Sequence, residues 1–271
     1  MFLSSRSRQP ALTLFALGLI GLGAAALVYG DFAMTWQPVA AWFPLRAPLA
    51  YAAGLLELAV GIGLLVPASR AAAVRILFPG LILWALLKVP SLLAAPQIEG
   101  VWLGFGELTL LLSGGWTLFA CCADLPASSL FAFATGERSA RLARRLFAVS
   151  LLPIGLSHFI YAKETLDLVP AWMPFRHIWP SVTGAGQIAS GLGVLVNLLP
   201  RIAAWAETLQ IALYTLLIWL PAALTPPHTR LSCTAFSISW TFGAAAFAVA
   251  QNTPAPHALR GFAPGKTEVR L

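Results

Sequence analysis

Five polar side chains lie inside long apolar stretches of the sequence. They are Glu57, Lys88, Glu107, His158 and Gln187. Ionisable groups in hydrocarbon are costly and usually face the interior of a helix bundle, so each is a candidate functional residue. An uncharged carboxyl group there could exchange protons with a bound ligand. The alternative is structural, because such groups also hydrogen-bond across helices for about 1 kcal/mol or less.

The positions of these residues along their apolar stretches predict a common depth. At a rise of 1.5 Å per residue, Glu57, Lys88 and Glu107 lie roughly 9–14 Å below one membrane surface. His158 and Gln187 fall in the same half of the membrane. We therefore predict a polar pocket there, with Glu57 and Lys88 as a pair, because pairing reduces the cost of burying two charges.

The composition excludes an ordinary soluble enzyme. Of 271 residues, 59% are hydrophobic and only 10% are charged, whereas soluble domains are about 25% charged. The net charge of +7 does not indicate nucleic acid, because the 17 basic residues lie mainly between apolar runs. The sequence predicts a polytopic membrane protein.

Eight apolar runs are long enough to be membrane spans. They cover about 10–30, 48–67, 74–95, 101–123, 146–162, 181–199, 203–223 and 232–250. An all-α fold is expected, because a lipid-exposed chain must satisfy its backbone donors internally. Basic residues predominate on the side that holds both termini, which predicts cytoplasmic termini. Glu207, near the end of its run, is expected to be solvated.

An internal repeat divides the chain. A shift of 130 positions aligns 39–66 with 169–196. The matches pair Trp42 with Trp172, Pro44 with Pro174, Arg46 with Arg176, Gly54 with Gly184, Gly61 with Gly191, and Gly63 with Gly193. One extra residue near Pro200 then pairs Arg70 with Arg201 and Pro90 with Pro221.

The repeat predicts two tandem four-helix bundles, in residues 1–123 and 146–250. A basic cytoplasmic linker over 124–145 joins them, and a cytoplasmic tail follows over 251–271. An even number of helices in each unit predicts a pseudo-two-fold axis along the membrane normal. The six matched glycines are expected to permit close helix packing.

One segment recurs between the first and second helices of each half, as VAAWFPLR and VPAWMPFR. Tryptophan is common at the membrane interface, so the segment is interpreted as an interfacial anchor. A lid over a pocket that opens outward is the alternative.

The sequence HFIYAKETLDLVPAWMPFRHIWPSVTGAGQIASGLGVLV resembles the DoxX/DoxD-like membrane proteins, and the first half is similar at VAAWFPLR and GLLELAVGIGLLV. The resemblance implies a bacterial inner-membrane protein of four-helix units, associated with quinone-linked thiosulfate oxidation or with membrane redox complexes. Gln187 stands where the first half has Glu57. Val28 aligns with His158, so the family's histidine has no partner in the first half.

The leading functional hypothesis is a membrane subunit of a quinone-linked redox system, with quinone as ligand and a redox protein as partner. A transporter or small-molecule-binding protein that uses the outer pocket is the alternative, and a non-catalytic scaffold is another. The sequence has no zinc spacing, CxxC motif or phosphate-binding glycine loop. We expect no metal, no covalently bound cofactor and no nucleic-acid partner, and catalytic residues remain unassigned.

Overall fold

The computed structural model describes residues 5–254, with side chains from residue 8 onward. Residues 255–271, which include most of the expected tail, lie outside the described residues, as do residues 1–4. Within residues 5–254 the secondary structure consists of helices without strands. The fold is all-α, as the sequence predicts.

The helices follow one another through short connections. Their bounds are α1 Ser5–Tyr29, α2 Arg46–Leu65, α3 Arg70–Ala94, α4 Glu99–Cys122, α5 Gly136–Ile160, α6 Ala162–Leu168, α7 Trp179–Leu195, α8 Pro200–Tyr214, α9 Leu220–Leu224 and α10 Arg230–Gln251. A π-helical turn, Thr215–Trp219, joins α8 to α9.

Seven helical segments of the described chain are long and apolar enough to cross a membrane. They are α1, α2, α3, α4, α5, the continuous α8–α9 segment Pro200–Leu224, and α10. Helix α7 is also apolar but has 17 residues, which corresponds to about 25 Å. The chain is a multi-pass membrane protein.

Helices α4 and α10 form the centre of the bundle. Helix α4 packs on α3, α5 and α10, and helix α10 packs on α1, α4 and α8. These two helices are the most buried of the candidate spans. The first and second halves therefore share one core, in which Leu108, Leu110 and Ala245 are buried.

We call the two ends of the bundle the Asp31 side and the Arg70 side. On the Asp31 side, the Tyr29 hydroxyl donates to the His228 carbonyl, 3.1 Å away. On the Arg70 side, Arg70 donates to Gln9 at 2.6 Å. The connections between α1 and α2, α3 and α4, α5 and α7, and α9 and α10 lie on the Asp31 side.

An ion network closes the Asp31 side. Asp31 Oδ1 lies 2.8 Å from Arg46 Nη2, and Asp31 Oδ2 accepts a hydrogen bond from Arg230. Burial raises the pKa of Asp31, but the Phe32 backbone N–H and the two guanidinium groups outweigh burial and hold that pKa below its ordinary value. The network links the α1–α2 connection to α10.

The two halves repeat a local contact at the matched arginines. Arg46 donates to the Val39 carbonyl, and Arg176 donates to the Val169 carbonyl at 2.8 Å. The residue before each arginine has a left-handed backbone, with φ of 59° at Leu45 and 53° at Phe175. In both halves the arginine therefore holds the VAAWFPLR or VPAWMPFR segment in a bent form.

Glycine contacts also recur, and they correct the alignment of the first helix. A Cβ at Gly54 would lie 2.8 Å from Ala26 Cβ, and one at Gly184 would lie 2.8 Å from His158 Cβ. Ala26, rather than Val28, therefore occupies the position of His158. The first half therefore has two more residues between Ala26 and Gly54 than the second half has between His158 and Gly184. Sequence identity could not reveal this difference, because it is the contacts between helices that show which residues correspond.

A second matched pair, Gly61 and Gly191, gives the same corrected alignment two helical turns further along α2 and α7. A Cβ at Gly61 would lie 2.9 Å from the carbonyl oxygen of Ala16 in α1. A Cβ at Gly191 would lie 2.7 Å from the carbonyl oxygen of Ala148 in α5. Both distances are too short for a real Cβ, so a side chain at either position would push the two helices apart. Ala16 therefore corresponds to Ala148, with the same two-residue excess as at Ala26.

The sequence alignment placed one extra residue of the second half near Pro200, but the structure places it further along the chain. Gly63 approaches Ala73, and Gly193 approaches Ala203, so the offset at the start of α8 is still 130. A π-helical turn accommodates one additional residue, and the turn at Thr215–Trp219 ends two residues before Pro221. The pairing of Arg70 with Arg201 is therefore one residue out of register.

The predicted linker is partly helical, because α5 begins at Gly136. Hydropathy did not reveal where α5 begins, because the first turns of this helix carry several charged residues. These turns contain Arg138, Arg141, Arg144 and Arg145. The non-α-helical connection between the halves therefore ends at residue 135.

Candidate functional site

One cavity, lined mostly by the second half together with α4, has a volume of about 520 Å³. Another, lined mostly by the first half together with α10, has about 70 Å³. We call them the large cavity and the small cavity. Only the large one matches the size of a small-molecule site, which is typically about 300–1,000 Å³.

The large cavity lies among α4, α5, α7, α8 and α10, with the π-helical turn in its wall. Its surface is mostly apolar and aromatic. The aromatic lining residues are Trp36, Trp179, Tyr214, Trp219 and Phe242. Irregular helical turns of the π type are frequent at functional sites.

One polar cluster of the large cavity connects α5, α7 and α8. His158 Nδ1 lies 2.9 Å from Thr183 Oγ1. Gln210 Nε2 donates to the Thr183 carbonyl at 2.9 Å and to the Tyr214 hydroxyl at 3.0 Å. The His158 and Tyr214 rings stack with centroids 5.9 Å apart. These four residues form a polar wall of the cavity. Only one of them, His158, was predicted from the sequence.

A second polar group of the large cavity comes from α4. Glu107 Oε2 accepts a hydrogen bond from Trp36 Nε1 at 2.7 Å. Trp36 lines both the large and the small cavity, so its indole separates them. Trp36 belongs to the α1–α2 connection, and no sequence pattern distinguishes it among the ten tryptophans.

Three consecutive residues of that connection bind the charged residues predicted in the first half. Thr35 Oγ1 accepts from Lys88 Nζ at 2.9 Å. Trp36 donates to Glu107, and Gln37 Nε2 donates to Glu57 Oε1 at 2.6 Å. We call residues 35–37 the strap. The strap holds each of the three side chains separately.

The strap changes the pairing that the sequence predicted. Glu57 is bonded to Gln37 and lines the small cavity. Lys88 interacts electrostatically with Glu107 and lines neither cavity. The predicted Glu57–Lys88 pair is therefore wrong. The three side chains contact consecutive residues of the strap, but the rotation of α3 directs Lys88 toward Thr35 and Glu107.

Four of the five predicted candidates divide between the two cavities, and Lys88 lines neither. Glu107, His158 and Gln187 line the large cavity together. Their convergence brings α4, α5 and α7 to one site. Glu57 lies at the other cavity, so a single pocket containing all the candidates does not form.

Glu207 was expected to be solvated, but it is fully buried, with 0% of its surface exposed. Gln187 Nε2 donates to Glu207 Oε1 at 3.3 Å. At the offset of 130, Glu207 replaces Leu77 of the first half. Helix α8 begins at Pro200, so Glu207 lies about 10 Å inside the helix rather than at its end. Each half thus buries one glutamine–glutamate pair.

The VPAWMPFR segment covers the large cavity from the Asp31 side. Val169, Pro170 and Met173 contribute to the lining, whereas Trp172 is 69% exposed. The segment is therefore a roof as well as a surface element. In the first half, Phe32 and Gln37 of the corresponding connection are each 3% exposed.

The large cavity opens between α7 and α8. Val182, Leu209 and Leu213 line it, and they are 50%, 62% and 46% exposed. These side chains lie on the outer surface of apolar helices. Because these apolar lining residues are also exposed, they mark an opening of the cavity, its mouth, on the surface between α7 and α8.

Sequence spacing could have identified part of the site that was missed. Glu207, Gln210 and Tyr214 are spaced three and four residues apart, which places them on one face of α8. Thr183 lies one helical turn before Gln187 on α7. Thr183, Gln210 and Tyr214 were not among the predicted candidates, although this spacing places them beside Gln187 and Glu207.

No group of three or more His, Cys, Asp or Glu side chains within residues 5–254 could hold a metal ion. Comparisons with family models, with curated proteins and with solved structures found no match to this chain. The site is therefore interpreted from its own geometry.

Proposed function

We propose that this protein binds a membrane-dissolved molecule of quinone type in the large cavity, as the membrane subunit of a redox system. The observation that carries the proposal is the combination of a 520 Å³ volume, aromatic walls and a small number of polar side chains. A quinone is a flat ring with polar atoms on opposite edges. Glu107 and the His158 cluster belong to different helices of the wall, which suits two such edges.

The mouth between α7 and α8 supports a ligand that arrives from the bilayer. An apolar tail could remain between Leu209, Leu213 and Val182 while the polar head enters the cavity. A water-soluble ligand would have no reason to enter through apolar, lipid-facing side chains. The proposal therefore includes the lipid bilayer as the ligand's source.

The proposal retains the resemblance to DoxX/DoxD-like proteins. It places the protein in a bacterial inner membrane, with an electron-transferring protein as partner. That partner, rather than this chain, would supply or accept electrons. No nucleic acid is part of the proposal.

The proposed architecture has eight spans in two tandem four-helix repeats, with α7 as the remaining span. The matched contacts of Arg46 and Arg176, and those of Gly54 and Gly184, support it. A pseudo-two-fold axis along the membrane normal would relate the repeats. The basic residues of the Arg70 side support cytoplasmic termini, which makes the Asp31 side the outer side.

A transporter is the second candidate, favoured by the roof over the large cavity. A roof on the outer side could open to admit a substrate. Accumulation of a labelled substrate in vesicles that contain the purified protein would favour this candidate. Binding without accumulation would favour the first.

The proposal is tested by titrating the purified protein, in detergent, with a decyl-substituted benzoquinone. Trp36, Trp179 and Trp219 line the cavity, so saturable quenching of tryptophan fluorescence is expected. Organic extraction followed by mass spectrometry should also recover a quinone that copurifies. Quenching that grows linearly without saturation, together with an extract that contains no quinone, would remove the proposal.

Two matched variants locate the binding. Glu107→Leu removes a polar group of the large cavity and should abolish saturable quenching. Glu57→Gln changes a carboxyl group at the small cavity and should leave the saturable quenching unchanged. Equal loss in both variants would indicate a general effect on the fold rather than a site in the large cavity.

A further inference from the structure

The side chains of the large cavity have already used most of their hydrogen-bond donors. The Trp36 indole donates to Glu107, and the Trp179 indole donates to the Pro174 carbonyl at 2.9 Å. Both amide hydrogens of Gln210 are used, one by the Thr183 carbonyl and one by Tyr214. The Tyr214 oxygen accepts from Gln210, and no acceptor is assigned to the phenol hydrogen of Tyr214 within residues 5–254.

The hydroxyl groups of the lining follow the same pattern. Ser157 donates to the Ile154 carbonyl at 2.7 Å, and Thr165 donates to the Tyr161 carbonyl at 2.9 Å. Thr215 donates to the Ile211 carbonyl, so its 2.8 Å contact with Ser239 uses the Ser239 hydrogen. Each hydroxyl hydrogen therefore points into the protein.

The tautomer of His158 follows from the same accounting. The Thr183 hydroxyl has one hydrogen and lies 2.7 Å from the Trp179 carbonyl, which accepts it. His158 Nδ1 must then carry the hydrogen of its bond to Thr183. Nε2 of the neutral ring is left as an acceptor, and no partner for it is assigned within residues 5–254.

Acceptors remain where most donors are used. Glu107 accepts from Trp36 at Oε2 and interacts electrostatically with Lys88, and no hydrogen-bond donor is assigned to Oε1 in the described chain. Gln187 Oε1 is buried without a hydrogen-bond partner. Among the lining donors in residues 5–254, the Trp219 indole, the Tyr214 hydroxyl and the second amide hydrogen of Gln187 have no assigned acceptor. A buried acceptor without a partner is costly, so a ligand that supplies hydrogens would relieve that cost.

We infer that the ligand of the large cavity carries hydroxyl donors, so that a hydroquinone binds more tightly than the corresponding quinone. This inference rests on the proposed function and adds the chemical form of the ligand. A hydroquinone has two O–H groups, and Glu107 Oε1 and His158 Nε2 are the acceptors placed to receive them. The carbonyl oxygens of a quinone are themselves acceptors, so they would face Glu107 Oε1 and His158 Nε2 with no hydrogen between them.

Three compounds with the same decyl tail test the inference: the hydroquinone, the quinone and the dimethyl ether of the hydroquinone. Dissociation constants are measured by calorimetry with the purified full-length protein, under anaerobic reducing conditions for the hydroquinone. We expect the hydroquinone to bind at least about tenfold more tightly than the other two, because they leave the acceptors unsatisfied. The ether separates donor capacity from ring shape.

Two variants test the assigned acceptors. His158→Phe keeps an aromatic ring against Tyr214 but removes Nε2, and it should reduce the hydroquinone preference by about threefold or more. Glu107→Gln retains one acceptor and adds N–H donors, so the quinone should gain affinity relative to the hydroquinone. Glu57→Gln is the control, for which the preference should stay at its wild-type value.

The outcomes separate the inference from the proposed function. Equal affinity for all three compounds would overturn the inference and leave quinone-type binding in place. Tighter binding of the quinone than of the hydroquinone would do the same. If none of the three compounds binds saturably, both the inference and the proposed function are wrong.

Discussion

Trp36 donates its indole N–H to the carboxylate of Glu107 across 2.7 Å. This bond joins the α1–α2 connection to the central helix α4. It also places the indole between the large and small cavities. The strap is therefore both a wall of the candidate site and the element that makes one hydrogen bond to each of Glu57, Lys88 and Glu107.

The Trp36–Glu107 bond predicts an asymmetric response to mutation. Glu107→Leu leaves the buried indole N–H without an acceptor, which costs about 1–3 kcal/mol. Adding Trp36→Phe removes that donor, so the double variant should lose less stability than the sum of the two single variants. Thermal unfolding in detergent measures the three variants. Strictly additive losses would mean that the bond contributes nothing.

Lys88 is predicted to couple to Glu107 and not to Glu57. Lys88→Met combined with Glu107→Gln should show a non-additive change in unfolding free energy, of about 0.5–3 kcal/mol. Lys88→Met combined with Glu57→Gln should be additive to within about 0.5 kcal/mol. The opposite result would restore the Glu57–Lys88 pair that the sequence alone suggested.

The mouth of the large cavity is predicted to be blocked by a bulky residue on α8. Ala206 lines the cavity and is exposed, so Ala206→Phe should weaken binding of the decyl benzoquinone at least about tenfold with little change in melting temperature. Ala189 is exposed on α7 and lies outside the lining. Ala189→Phe is the matched control. Loss of binding in both variants would argue against a mouth at this position.

Stability is predicted to fall in acid through Asp31. Its folded-state pKa lies below the unfolded value of about 3.9. The stabilisation is therefore present above that value and lost as pH falls through the folded pKa. Melting temperatures between pH 7 and pH 3 should drop less steeply for Asp31→Asn, which should also be less stable than wild type at pH 7. Parallel curves for the two proteins would rule out this role.

Cysteine labelling can establish whether α7 crosses the membrane. In a variant without Cys121, Cys122 and Cys233, single cysteines are introduced as Ser128→Cys, Ala171→Cys and Leu198→Cys. An impermeant maleimide added outside should label only position 171. Positions 128 and 198 should react after the membrane is opened. Labelling of position 198 from outside would mean that α7 does not span the membrane.

The sequence by itself determined the membrane class, the helical fold and most of the candidate side chains. Composition and apolar runs suffice for this, because hydrocarbon permits few polar residues and requires helices. Glu107, His158 and Gln187 were selected on that ground alone. Matched residues such as Arg46 and Arg176 also indicated the repeat, since their types and spacing recur.

Only the tertiary structure decided which of these residues meet. Depth follows from counting residues, but rotation about a helix axis depends on packing with neighbours, so Lys88 could not be assigned to Glu107. The strap was hidden because Thr35, Trp36 and Gln37 lie in a connection with no helical period. Glu207 was misjudged because hydropathy does not locate the start of α8. The large cavity could not be predicted from sequence either, because the space left among α4, α5, α7, α8 and α10 depends on how these helices pack against each other.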